Sequence, residues 1–137
     1  MAGKILLEVV TPEKQLLSQE VDEVIAPGSE GEFGVLPGHC HFLSTLRIGE
    51  LRYRVGDRTN HMAILWGYAE VTPNKVTVMA EIAEKAEDID VNRAQAAVER
   101  AEQRLKAGGL PSEVKEAEIS LEKARLRKKI AERALKS

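Results

Sequence analysis

The sequence predicts an all-β N-terminal sandwich or flattened barrel over residues 1–87, followed by a C-terminal antiparallel two-helix hairpin over 88–137. Three observations carry that prediction. Apolar residues alternate with polar ones in short runs up to residue 82, and they recur at helical spacing from Asp88 onward. The charge also changes sign: residues 1–89 hold 8 basic and 14 acidic side chains, whereas residues 90–137 hold 12 basic and 8 acidic.

Ile5, Leu7 and Val9 mark an opening strand. Leu51, Tyr53 and Val55 alternate with Arg52 and Arg54, the period-2 signature of a half-buried strand. Val76, Val78 and Ala80 repeat it against Lys75, Thr77 and Met79. Pro27-Gly28, Pro37-Gly38, Gly56-Asp57 and Thr72-Pro73-Asn74 supply turn chemistry at spacings suited to short strands. No helical window interrupts this stretch, so antiparallel pairing in a sandwich is expected. Aromatics are only 4% of the chain, so the core must be built from Val, Ile, Leu and Ala.

The tail reads differently. Ala94, Ala97, Val98, Ala101 and Leu105 form one stripe, with Asp90 placed to cap the helix. Gly108-Gly109 stops it, and Pro111-Ser112 prepares a second helix that carries Val114, Ala117, Leu121 and Ala124. Ile119, Leu126 and Ile130 widen its apolar surface. Alanine stripes allow close approach but bury little area, so the hairpin is expected to be marginal alone and able to exchange docking surfaces.

Composition excludes several classes. With 43% hydrophobic and 31% charged residues the chain is expected to be globular and water-soluble. No apolar run approaches the roughly 18 residues of a membrane-spanning helix, and no signal peptide is expected. Cys40 is the single cysteine, which fits a reducing compartment. The Gly28–Gly34 loop lacks a following helix and carries Glu30 and Glu32, which would repel phosphate; turn glycines are the simpler reading. His39-Cys40-His41 lacks the further ligands that a zinc site needs, so no metal is expected. No P-loop or catalytic triad signature appears, so the chain is not expected to be an enzyme in its own right. Residues 123–137 are strongly basic, yet they lack the bulky apolar wedge of a membrane-surface helix. Taken alone, the pattern also admits an independent module presenting a basic hairpin to acidic protein or nucleic acid. The acidic balance of the whole chain and the lack of a groove-reading motif argue against nucleic acid.

Gly31-Glu32-Phe33-Gly34-Val35-Leu36-Pro37-Gly38-His39 resembles the G-E-[LF]-G-x-x-P-G-H stretch of F-type ATP synthase epsilon subunits of the bacterial type. Glu8-Val9-Val10-Thr11-Pro12 is similar to that family's first strand and turn, and Gly67-Tyr68-Ala69-Glu70-Val71 to its last hairpin. Ala86-Glu87-Asp88-Ile89-Asp90-Val91-Asn92-Arg93-Ala94 resembles its entry into the helical tail. Trp66 departs from the usual glycine, and Cys40-His41 replace residues that are commonly small or proline.

The resemblance implies a non-catalytic part of the rotor stalk that couples proton flow to ATP synthesis and restrains ATP hydrolysis through movable C-terminal helices. Implied partners are the gamma subunit, the c-ring and the beta and alpha subunits, with no nucleic acid and no direct membrane insertion. The implied location is peripheral, on the cytoplasmic face of the bacterial inner membrane. By the same resemblance Glu32 and His39 face the c-ring, and Lys123, Arg125, Arg127, Lys128 and Lys129 face an acidic segment of beta. No cofactor is required, but Ile89-Asp90-x-x-Arg93-Ala94 resembles the motif by which some members bind a regulatory ATP that does not react. That site carries over to Glu84, Ile89, Asp90, Arg93, Ala94, Arg100, Lys123 and Arg127, with Lys123 standing where ATP-binding members offer an arginine.

Overall fold

The computed structural model describes residues 3–38 and 41–136. It divides into two compact units, residues 1–85 and 86–137. The first holds eight strands: β1 (Ile5–Val10), β2 (Gln15–Val21), β3 (Glu23–Gly28), β4 (Gly31–Val35), β5 (Phe42–Leu46), β6 (Gly49–Val55), β7 (Arg58–Thr72) and β8 (Lys75–Lys85). They join in the order β2-β1-β8-β7-β5-β3-β4, with β6 bridging β3 and β7.

Alternation decides which side chains go inside. Ile5, Leu7 and Val9 on β1 are fully buried, as are Leu51 on β6 and Val76 and Val78 on β8. Each such side chain contributes about 1.5–3 kcal/mol on leaving water. Phe33 and Phe42 meet edge to face with centroids 5.1 Å apart, flanking this aliphatic core. One pairing departs from the antiparallel expectation: β1 runs parallel to β8, with Leu7 opposite Val76 and Val9 opposite Val78. A hairpin can only pair neighbouring strands antiparallel, but these two come from opposite ends of the unit and are free of that constraint.

The sheet turns back on itself along β7. Its first half pairs with β6 up to Ile64 opposite Gly49, and its second half pairs with β5 from Gly67 opposite Leu46 onward. The change of partner falls at Trp66, whose φ of 58° is left-handed, and at Gly67, whose φ is 151°. A Cβ on Gly67 would stand 2.1 Å from the carbonyl oxygen of Met79 on β8, so the close approach of the two strands demands glycine there.

The second unit opens with a 3-10 turn, Ala86–Asp88, followed by α1 (Val91–Ala107) and α2 (Pro111–Lys136). Asp90 caps α1: its Oδ1 accepts from the N–H groups of Asn92 at 2.9 Å and Arg93 at 3.1 Å. Gly108, at φ 71°, ends it, and its N–H donates to the Leu105 carbonyl at 3.2 Å. Pro111 takes the first position of α2, where its missing N–H is harmless. Glu113 reaches back to accept from the Leu110 N–H at 3.0 Å. Between the helices, Val98, Ala101, Leu121 and Ala124 are buried together, with Ala97 and Leu105 at the margin.

Candidate functional site

Two constellations stand out, one in each unit. In the hairpin, the stripe Ala97, Arg100, Ala101 and Arg104 of α1 faces Ser120, Lys123, Ala124 and Arg127 of α2 across a groove of about 300 Å3. Spacings of three and four residues on both helices put these side chains on one face each, and the alanines keep the floor low. Four cationic side chains therefore line one concavity. Planar guanidinium groups can fork onto phosphate or carboxylate oxygens, and the ammonium of Lys123 adds a point charge.

The groove collects three residues of the sequence-predicted nucleotide site, Arg100, Lys123 and Arg127. It adds Arg104, which the sequence reading passed over although it lies four residues, one turn, beyond Arg100. Ile89, Asp90, Arg93 and Ala94 do not line it; they lie in the first turn of α1 and just ahead of it. Arg93 and Arg100 share a face seven residues apart, about 10 Å along the axis at 1.5 Å per residue. Asp90 accepts both of its cap bonds through Oδ1. Ala94 is buried and Arg93 exposed. Glu84 belongs to the first unit, on β8 opposite Ala63 of β7.

The basic stretch of α2 is not uniform. Arg125 is turned to α1, 3.5 Å from Glu102, and remains largely exposed. Lys123 and Arg127 line the groove, while Lys128 is half-buried and Lys129 exposed.

In the sandwich, Glu32 sits at the start of β4, just past the two-residue turn Ser29-Glu30 that joins it to β3. Both of its carboxylate oxygens meet Arg52 of β6: Nη1 stands 3.2 Å from Oε2, and Nη2 donates to Oε1 at 3.3 Å. Nη1 of Arg52 also lies 3.2 Å from Oε1 of Glu50, whose Oε2 is 2.8 Å from Nδ1 of His61 on β7. Partial burial alone would lower the Arg52 pKa, but its hydrogen bonds to Glu32 and Glu50 hold it above the ordinary value. Sequence alternation marked Arg52 only as an outward strand residue. His39 and Cys40 lie outside the described residues. His41 is exposed, 3.7 Å from Glu70. Among the described residues no group of three or more His, Cys, Asp or Glu side chains is placed to hold a metal ion. None of the described helices is long and apolar enough to cross a membrane.

Comparisons with known proteins agree on one family. Residues 4–86 match the family described as ATP synthase, Delta/Epsilon chain, beta-sandwich domain, and residues 87–132 match its long alpha-helix domain. A protein of Syntrophobacter fumaroxidans named ATP synthase epsilon chain is 56% identical over 97% of this chain and 99% of its own length. One of the same name from Citrifermentans bemidjiense is 53% identical over 98% of each. A chain in the structure of the Euglena gracilis mitochondrial ATP synthase, OSCP/F1/c-ring, superposes with a TM-score of 0.80 at 26% identity, over 96% of this chain and 81% of that one. A chain of the Tetrahymena thermophila central stalk and c-ring shares the fold, with a TM-score of 0.59 at 17% identity.

Proposed function

This chain belongs to the family of ATP synthase epsilon chains, non-catalytic subunits of the F-type enzyme, and from that premise we propose that it is a rotor subunit whose hairpin is a nucleotide-latched brake on ATP hydrolysis. The sandwich stands at the foot of gamma and against the c-ring, where it helps couple proton flow to ATP synthesis. Glu32 and His39 belong to the c-ring face. The hairpin meets the beta and alpha subunits when it extends, with Lys123, Arg125, Arg127, Lys128 and Lys129 toward an acidic segment of beta. The complex holds the chain peripherally at the cytoplasmic face of the bacterial inner membrane.

The observation that carries the latch is the meeting of Arg100, Arg104, Lys123 and Arg127 around one groove, about three to four turns along α1 from the Asp90 cap. Ile89, Asp90 and Ala94 take the adenine end, with Oδ2 of Asp90 accepting from the exocyclic amine, and Arg93 leads toward the phosphates. The ATP is a ligand and does not react. Bound ligand at about 100 times its dissociation constant stabilises the binding state by about 2.7 kcal/mol. That is comparable to what holds an alanine-rich helix pair.

Adding the full chain to its own catalytic head should lower ATP hydrolysis, and a chain ending after Glu87 should not. Equal hydrolysis with no chain, the full chain and the truncated chain would end the inhibitory reading.

A further inference from the structure

Arg52 is on β6, opposite His61 of β7 on one side and Ile25 of β3 on the other. Glu32 is on β4, the strand beyond β3, opposite Pro27. The guanidinium therefore reaches across β3 to grip a carboxylate two strands away, about 9–10 Å at the usual strand spacing. It grips with two nitrogens on two oxygens, the geometry that fixes direction as well as distance. Behind it, Glu50 holds the same Nη1 at 3.2 Å and is itself held by His61 at 2.8 Å. Only the far end of this chain of contacts, the Glu32 side chain at 46% exposure, reaches well into solvent.

A solvated glutamate on a strand end would sample many rotamers and would have to be ordered by its partner. Here it is ordered beforehand. Its carboxylate is also paired, with a guanidinium that Glu50 shares, so the face offers an aligned and partnered acceptor. We infer that Arg52 is a positioning residue for the c-ring face: anchored by Glu50 and His61, it holds Glu32 in the orientation that the ring's polar loops meet. This rests on the proposed contact of Glu32 with the c-ring. The site thus extends from β4 to residues of β6 and β7 that make no contact with the ring themselves. A lysine at position 52 would keep the charge but lose the fork.

The test uses the complete, membrane-reconstituted ATP synthase carrying Glu32→Gln, Arg52→Gln, both together, or Arg52→Lys. Two quantities are read: proton pumping per ATP hydrolysed, and the unfolding midpoint of the isolated full chain. Glu32→Gln and Arg52→Gln should each lower the pumping ratio, Arg52→Gln by no more than Glu32→Gln. The double variant should be no worse than Glu32→Gln alone, because Arg52 acts through Glu32. Arg52→Lys should keep the wild-type midpoint and give an intermediate ratio. A wild-type ratio in Arg52→Gln beside a lowered one in Glu32→Gln overturns the positioning role alone. Losses that add in the double variant overturn it too, as does an Arg52→Lys protein with both wild-type ratio and wild-type midpoint. A wild-type ratio in Glu32→Gln removes the c-ring reading of this face, and the positioning role with it.

Discussion

Leu121→Ala would remove the largest side chain from the buried set that joins α1 to α2. That set is Val98, Ala101, Leu121 and Ala124, none more than 8% exposed, so two of its four members are already alanine. Deleting three carbons forfeits about 2.4 kcal/mol of transfer free energy at about 0.8 per methylene, and any unfilled cavity adds to that. A unit of about fifty residues has little stability to spare. Amides of α1 that exchange by opening of the hairpin should therefore exchange about 50-fold faster, at about 1.4 kcal/mol per factor of ten. ATP at about 100 times its dissociation constant should return about 2.7 kcal/mol and bring exchange back near the wild-type rate. Hydrogen exchange followed by mass spectrometry or NMR reads both changes, with the β8 amides as an internal reference. Unchanged α1 exchange in the variant would refute the claim that this small core holds the helix pair. Faster exchange that ATP does not slow would refute the latch while leaving the packing argument intact.

Further outcomes follow from named residues. Calorimetric titration of the full chain with ATP should show binding that weakens about tenfold or more in Arg93→Ala and in Arg104→Ala, the cost of losing a charge-assisted hydrogen bond; no heat at millimolar ATP would leave the hairpin without a nucleotide latch. Gly67→Ala should destabilise the chain by about 3 kcal/mol or more, since its Cβ would stand 2.1 Å from the Met79 carbonyl oxygen. Gly34→Ala, whose nearest neighbours are 4.0 Å away, should stay within about 0.5 kcal/mol in the same denaturant series. Asp22 is held below the usual carboxyl range by its hydrogen bond from Lys4 and by the Gly56 N–H, helped by the charges of Lys4 and Arg54. Its contribution is complete above the unfolded value of about 3.9 and disappears as pH falls through the lower folded value. The stability gap between wild type and Asp22→Asn, measured by urea midpoints, should accordingly be steady near neutrality and close below about pH 4.

What the sequence determined by itself was local. The burial of Ile5, Leu7 and Val9 follows from the period of a strand, the Asp90 cap from a short acidic side chain ahead of a helical stripe, and the stop at Gly108 from its freedom at positive φ. Each depends on residues within a turn or two of one another, so the order of the letters carries it. The recognisable stretches around Glu32 and Asp90 belong to the same class. Tertiary structure decided the rest, because those features join residues distant in sequence. The parallel pairing of β1 with β8 links the two ends of the unit, and no periodicity in either strand announces it. The strain at Trp66 comes from where β7 exchanges β6 for β5. Arg104 was legible as a helical neighbour of Arg100, but its shared groove with Lys123 and Arg127 exists only once α2 lies against α1. The grip of Arg52 on Glu32 spans twenty residues of chain and one intervening strand. Alternation says that such an arginine points outward. Only the stacking of three strands says which carboxylate it meets.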